Sequence, residues 1–406
     1  MDDKELMRIT LGVPSPWFVK SVELDESEER IDIYFDFIKG SKFPCPVCNE
    51  PCKVHDTKER TWRHLSLFQY ESYIHARVPR TKCDEHGTKT VNVPWSRPDI
   101  GFTSLFEADV VSLCESMPVA SVADKVNIHE DSAWRILSHY VNKALERLDL
   151  SQLDTIGVDE ISVAKGHKYI TLFYDTKESR VIHIEPGKGK NAIKRFKDAI
   201  SRKINTKQIK YISMDMSSAY ISGASEYFPN AKIVFDKFHV IKMMNDAIDD
   251  VRRKEYKTNK SLGKTRFIWL KNPENLSEKE KKKLHSMKDL DLKTAKAYQF
   301  KLSLQRLWRV KDLAAARNYL NKWYYWATHS RIKEIIKLAK TIKKHFYGIM
   351  EAIRTGLSNS VAEGLNNKVK TVVKRSYGFK TAEYRNTMIY LVTGKLDLCA
   401  DLPTQC

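Results

Sequence analysis

DTIGVDEISVA (154–164), YITLFYD (169–175), RVIHIEPG (180–187), NAIKRFKDAIS (191–201), IKYISMDMS (209–217), AYISGASEYF (219–228) and AKIVFDKFH (231–239) are the segments that decide the fold. By hydrophobic period they read as three strands, a helix, a strand, a helix and a strand. That order predicts a mixed α/β sheet rather than a regular βαβ series.

Two acids sit within this pattern. Asp159 is expected at the end of the apolar strand IGVDEIS, and Asp215 follows YISM at the end of another. A third, Glu363, stands early in the helical stretch SNSVAEGLNNK, with Ser360 as candidate N-cap. A helix N-terminus tolerates an acid there. Side chains alternate across a strand, so Asp159 and Glu160 are expected on opposite faces, and Glu160 is left out of the site. Each acid alone reads as a surface or capping residue. Together, at strand ends and a helix entry, three carboxylates can close around two divalent ions about 4 Å apart. Such a pair can activate a water or a 3′-hydroxyl and stabilise the leaving oxygen of a phosphodiester.

The charge balance points the same way. The 406 residues hold 70 Lys+Arg against 51 Asp+Glu, a net charge of +19. That favours a polyanion as partner, although ribosomal or membrane-surface association would show the same balance. The first residues, MDDKELMRIT, lack the apolar run of a secretory signal. No apolar stretch reaches the length of about 18 residues that suggests a membrane span. The seven cysteines are clustered. A reducing cytoplasm, near the nucleoid, and a metal role for the thiols are expected.

Working outward, five segments separate. Residues 1–93 alternate in the strand manner and hold most of the cysteines; 94–149 join a Pro-punctuated linker (94–103) to an amphipathic helical stretch; 150–240 carry the mixed sheet; 241–356 lose all strand signals; and 357–406 form a final helical piece with Glu363.

In the first segment, Cys45-Pro-Val-Cys48 and Cys83-Asp-Glu-His86 make a CxxC…CxxH pair. Two short knuckles of this kind suit one structural, tetrahedral Zn²⁺. Cys52 and His55 lie between them as competing ligands. In the second segment, SVADKVNIHEDSAWRILSHYV (121–141) reads as a helix-turn-helix with a polar turn at Asn127–His129. Val122, Ala123, Val126, Ile128, Trp134, Ile136 and Leu137 form its seam. The second helix would enter the major groove, with Arg135 as a candidate DNA contact. An ordinary helical hairpin fits the same pattern. Beyond Glu363, Lys368, Lys370, Lys374, Arg375, Lys380 and Arg385 could neutralise phosphates or simply form a solvated cationic face.

With these motifs in place, the chain resembles bacterial insertion-sequence transposases of the ISL-three type, within the DDE class. The resemblance covers nearly the whole chain. It runs from CPVC and VHD (54–56) through the helix-turn-helix to IGVDEIS, SMDMSSAY, FDKFHVIKMMNDAIDDVRR (235–253) and SNSVAEGLNNKVKTVVKRSYGF (358–379).

The resemblance implies a multidomain protein: a zinc-binding β domain, a helix-turn-helix, and a ribonuclease-H-like core interrupted by an all-α insertion domain. It implies that Asp159, Asp215 and Glu363 are a catalytic triad for two Mg²⁺ or Mn²⁺ ions. His239, in Asp236-Lys237-Phe238-His239, would contact phosphate or orient the scissile strand; a core histidine is the alternative. Trp323 and Trp326 resemble aromatics of the insertion domain, for packing or for stacking on an extruded base. The implied activity is DNA cleavage and strand transfer at terminal inverted repeats, by a homodimer or larger assembly on double-stranded DNA. A zinc and helix-turn-helix regulator without catalysis, or a nuclease without strand transfer, are the competing readings.

Overall fold

The computed structural model describes residues 3–164, 166, 168–287, 290–357, 360–398 and 400. The chain divides into two compact units. The first runs to Leu148 and takes in Arg375–Leu391 and the residues from Leu396 on. The second holds Asp149–Lys374 and Val392–Lys395.

The first unit opens with helix α1 (Asp3–Thr10) and six strands: β1 (Trp17–Asp25), β2 (Arg30–Phe37), β3 (Lys42–Pro44), β4 (Pro51–Leu67), β5 (Tyr70–Cys83) and β6 (Gly87–Thr90). They form one sheet in the order β1-β2-β5-β4-β3, with β6 on β5. Alternation in β2 turns Ile31, Ile33 and Phe35 inward. The expected linker is less loose than its prolines suggest. Its Trp95 packs edge-on against Trp17, Phe35 and Trp62 at 4.9, 4.9 and 5.6 Å, so it closes the β-domain core.

Three helices follow: α2 (Ser104–Ser116), α3 (Val119–Lys125) and α4 (Glu130–Arg147). The Thr103 hydroxyl caps α2 by accepting from the Phe106 N–H. The turn between α3 and α4 places Asn127 at φ +52°, the left-handed region that asparagine tolerates. Val122, Ala123, Trp134, Ile136 and Leu137 are buried as the seam requires, while Val126 and Ile128 are half-buried.

The second unit holds the mixed sheet. Its strands are β7 (Thr155–Ala164), β8 (Lys168–Asp175), β9 (Arg180–Pro186), β10 (Tyr211–Met214) and β11 (Lys232–Phe235), in the order β11-β10-β7-β8-β9. β7, β8 and β9 run antiparallel, whereas β10 pairs in parallel with both β7 and β11. Helices α5 (Lys190–Ile200) and α6 (Ser218–Tyr227) make the crossovers to the parallel strands. α5 buries Ala192, Ile193, Phe196 and Ile200, one face at helical spacing, and Phe196 stacks on Phe173 at 3.9 Å. β8 is buried along six successive residues, as a strand covered on both faces must be.

From Lys237 to Thr355 every described element is helical. These are α7 (Lys237–Glu255), α8 (Arg266–Leu270), α9 (Glu278–Ser286), α10 (Lys293–Arg306), α11 (Leu313–Thr328), α12 (Lys333–Lys344) and α13 (Phe346–Thr355), with short 3₁₀ turns between some of them. α13 returns against β11. Gly348 makes that approach possible, since a Cβ there would lie 2.3 Å from the Phe235 ring. α14 (Ser360–Arg375) and α15 (Ala382–Thr393) complete the chain's described elements. The Ser360 side chain, expected as a cap, lies outside the described residues, as do Ser358 and Asn359. Among the described residues no helix is long and apolar enough to cross a membrane.

Candidate active site and cysteine cluster

Strand register decides where the acids stand. Ser213 of β10 pairs with Gly157 of β7, and Met214 pairs with Phe235 of β11. Asp215 therefore comes two residues after a paired position, as Asp159 does on β7, and Asp236 follows directly on β11. Three parallel strands bring three acids to one level, at the C-terminal ends of β10 and β11. Asp215 does follow its strand. Asp159 does not end its own: β7 continues to Ala164 because β8 keeps pairing with it to that point. What ends near Asp159 is the parallel neighbour.

Asp159 is held at both oxygens. The Glu160 N–H donates to Oδ1 at 2.8 Å and Asn366 Nδ2 donates to Oδ2 at 2.7 Å. Tyr174 O–H donates to Asn366 Oδ1 at 2.5 Å. The phenol is buried and held well above its ordinary pKa by that burial, so it stays a donor. This turns the Asn366 amide N–H₂ towards the carboxylate. Burial also pushes the Asp159 carboxyl above the usual range; the two donors pull it back, and the charge of Asp215 pushes it up.

Asp159, Glu160, Asp236, His239, Glu363, Asn366 and Lys370 border one cavity of about 540 Å³. Glu160 thus shares the cavity with Asp159, and its exclusion by alternation was too strict. The opposite faces of a strand both reach a cleft that opens at the sheet's end. Burial raises the Glu160 carboxyl, the Lys188 ammonium 3.8 Å away opposes this, and the charges of Asp215 and Asp159 add to the rise. Asp215 is not among the residues bordering the cavity, although its charge acts on Asp159, Glu160 and His239. Glu363 is exposed on the first turn of α14, one helical turn before Asn366.

His239 Nδ1 lies 3.4 Å from Asp236 Oδ2, an ion pair rather than a well-formed hydrogen bond. That carboxylate raises the imidazole above its ordinary pKa against burial, and the charges of Asp159 and Asp215 act in the same sense. Asn366 and Asp236 were not singled out as site residues from sequence. The signal for Asn366 was available in its spacing, three residues after Glu363 on one helix face.

The basic candidates divide. Lys368, Lys370 and Lys374 are exposed on α14. Arg375 is not a free cation: its guanidinium donates to the carbonyls of Ser116 at 2.6 Å and Glu115 at 3.2 Å, satisfying the end of α2. Lys380 pairs with Glu130 at 3.1 Å. Glu130 also accepts from the Trp134 indole at 3.0 Å, so its charge at the start of α4 is engaged within the protein. Trp134 stacks on Tyr384 at 4.1 Å. Arg135 is exposed on α4, held to Ser132 Oγ at 3.0 Å. In the helical segment Trp323 is fully buried and donates to the Phe300 carbonyl at 3.0 Å, a packing role, whereas Trp326 is exposed.

In the β domain, Cys45 and Cys48 stand in the turn from β3 to β4, Cys83 ends β5, and His86 stands in the turn from β5 to β6. Their ligand atoms all lie within 4.8 Å of one another. Cys48 Sγ is 3.6 Å from Cys83 Sγ, and Cys83 Sγ is 3.5 Å from His86 Nδ1. A tetrahedron with Zn–S near 2.3 Å has edges of about 3.8 Å, so the donors fit such an ion. Cys52 is buried beside them but donates to the Glu50 carbonyl at 3.3 Å, and His55 is exposed. Among the described residues this is the one set of three or more His, Cys, Asp or Glu side chains drawn so close.

Three family models match the chain. One described as a transposase covers residues 156–389. A helix-turn-helix domain of transposase family ISL3 covers 91–141, and a zinc finger of the transposases of IS204, IS1001, IS1096 and IS1165 covers 41–86. Among curated proteins, the chain is 27% identical to the transposase for insertion sequence element IS1557 of Mycobacterium tuberculosis, over 94% of each chain. It is 27% identical to the transposase for IS1001 of Bordetella parapertussis, over 95% of this chain and 97% of that one. Among solved structures, the Drosophila P element transposase strand transfer complex aligns with a TM-score of 0.40 at 9% identity, over 72% of this chain and 92% of that one.

Proposed function

The chain belongs to transposase family ISL3, and on that premise we propose that Asp159, Asp215 and Glu363 hold two divalent ions, Mg²⁺ or Mn²⁺, and are the catalytic residues of DNA cleavage and strand transfer. The observation that carries this is the strand register, which sets Asp159 and Asp215 at one level, with the helix of Glu363 bonded to Asp159 through Asn366. An all-oxygen carboxylate set fits a hard divalent cation. Bound ions supply activation of the attacking hydroxyl and compensation of the leaving oxygen.

The rest falls to the chain's own side chains. Asn366 and the Glu160 N–H fix the direction of both Asp159 oxygens. Lys368, Lys370 and Lys374 meet backbone phosphates. His239, beside Asp236, contacts phosphate or orients the scissile strand. The core is ribonuclease-H-like, a reading supported by the strand order β11-β10-β7-β8-β9, in which β7, β8 and β9 are antiparallel and β10 and β11 run parallel to β7. The helices of 241–356 are its insertion, supported by α13 returning to β11. Cys45, Cys48, Cys83 and His86 hold one structural Zn²⁺. The zinc domain and the helix-turn-helix, with Arg135 on its second helix, bind the terminal inverted repeats. Two ends must be joined, so a homodimer or larger assembly forms on DNA, at the nucleoid.

Membership of the family sets aside the regulator without catalysis. A strand-transfer assay with Mg²⁺ tests what remains. Asp215→Ala is expected to abolish cleavage while end binding persists. Cleavage by that variant would remove Asp215 from the site, and cleavage without joining by the wild type would favour a nuclease.

A further inference from the structure

The second helix of the helix-turn-helix, α4, opens on two acids, Glu130 and Asp131. In a motif of this kind the first turn of that helix meets base edges and the flanking phosphates. Two carboxylates there offset the positive end of the helix dipole and oppose a polyanion. A lysine from the far end of the chain answers them. Lys380 Nζ lies 3.1 Å from Glu130 Oε2 and 3.9 Å from Asp131 Oδ1, and 250 positions of sequence separate it from Glu130. Its segment, Arg375–Leu391, belongs to the same compact unit as α4. Aromatic packing fixes it there. Tyr384 stacks on Trp134 of α4 at 4.1 Å with the rings 3° from parallel, and Phe379 meets the same indole edge-on at 6.3 Å. Lys380 lies between these two anchors in sequence, so its backbone is held at the start of α4 while its side chain stays 60% exposed.

The same segment carries Tyr377, 98% exposed and at φ +51°. A tyrosine in the left-handed region is strained, and a ring so exposed gains no packing in return. It stands two residues before Phe379, so the chain holds it within about 7 Å of the residue that packs on Trp134. Tyrosine hydroxyls donate to phosphate oxygens and so set the register of a protein on a duplex. We propose that residues 376–381 complete the DNA-binding surface of the helix-turn-helix: Lys380 neutralises the acidic start of α4, and Tyr377 contacts the phosphate backbone beside the groove that α4 enters. This rests on the reading of the helix-turn-helix as a binder of the terminal inverted repeats. The partner is duplex DNA, and both residues act on its backbone rather than on base edges. Without Lys380, Glu130 and Asp131 would face the phosphates unopposed. With it, Arg135, one turn after Asp131, adds its charge to a surface that no longer repels DNA.

The test uses the full-length protein and a duplex carrying the terminal repeat found beside its gene. Binding is followed by fluorescence anisotropy in Ca²⁺ over a series of NaCl concentrations. Lys380→Ala is expected to bind on the order of ten-fold more weakly at low salt, and the deficit should shrink as salt screens the two carboxylates. Glu130→Gln in the same chain keeps an acceptor for the Trp134 indole and should restore most of the binding. A merely structural role for Lys380 would show neither the screening nor the rescue. Tyr377→Gly is expected to bind several-fold more weakly without a lower melting temperature, because glycine accepts the positive φ. Unchanged binding by Lys380→Ala, or a loss that Glu130→Gln does not restore, would overturn the role of Lys380. Unchanged binding by Tyr377→Gly would overturn that of Tyr377, as would a loss accompanied by a lower melting temperature, which would make the ring part of the fold. In each of these cases the wild type still binds its repeat. A wild type that binds the repeat no better than a duplex of scrambled sequence would overturn the end-binding reading, and the proposal with it.

Discussion

Asn366 Nδ2 donates to Asp159 Oδ2 at 2.7 Å, joining helix α14 to strand β7 across 207 positions of sequence. The same helix carries Glu363. One amide therefore sets both the direction of a half-buried carboxylate and the seating of the helix that brings the distant glutamate. Asn366→Leu removes a hydrogen bond to a charged group, worth about 1.5–3 kcal/mol. Single-turnover cleavage is expected to fall roughly ten- to a hundred-fold, with a higher Mn²⁺ requirement and unchanged end binding. Tyr174→Phe removes only a neutral bond, about 1 kcal/mol, and should have the smaller effect. Equal effects from the two variants would show that the amide does not position Asp159.

Acid should loosen the first unit through His64. Its ring is buried and bonded through Nδ1 to the Thr103 hydroxyl at 2.8 Å. Burial pushes it down to about 4, and the Arg63 charge adds to this. The folded value lies below the unfolded one, so protons favour the unfolded chain. The stabilisation is present above about 6.5 and is lost as pH falls towards 4, up to about 3 kcal/mol in all. Urea midpoints between pH 7 and pH 4 should fall for the wild type and fall less for His64→Gln. Parallel slopes would remove His64 as the cause.

Gly348→Ala should destabilise the second unit. The new methyl would meet the Phe235 ring at 2.3 Å, and overpacking of this kind costs roughly 1–3 kcal/mol. Because β11 leads directly into Asp236, cleavage should weaken as well. Phe235→Leu in the same chain should recover part of the melting temperature. An unchanged melting temperature in Gly348→Ala would mean that α13 shifts at no cost.

Zinc should be measurable without DNA. Elemental analysis is expected to find one zinc per chain in the wild type and none in a Cys45→Ser, Cys48→Ser double variant. That variant should lose end binding, because a β domain of this size relies on the ion to tie its two turns together. Retained end binding in the metal-free variant would contradict a structural role.

How much could be read beforehand follows from the range of each interaction. The strand and helix order of 150–240 was legible because burial writes a period of two or 3.6 into neighbouring residues. The cysteine knuckles were legible because each pair of ligands comes from one short turn. Arg375 was misread because its partners, the Glu115 and Ser116 carbonyls, are remote in sequence and carry no side-chain signature. Lys380 pairs with Glu130 for an equally remote reason. Glu160 was excluded by a rule about strand faces that says nothing of a cleft at the strand's end.

By itself the sequence determined the elements, the chemical types available at each turn and strand end, and the family to which they answer. Those depend on local geometry, where a few residues suffice. The tertiary structure alone decided which groups meet. Parallel register levelled Asp159 with Asp215, and the Tyr174–Asn366 bond turned an amide towards Asp159. Each of these depends on packing between segments far apart in the chain, whose relative placement no local pattern encodes.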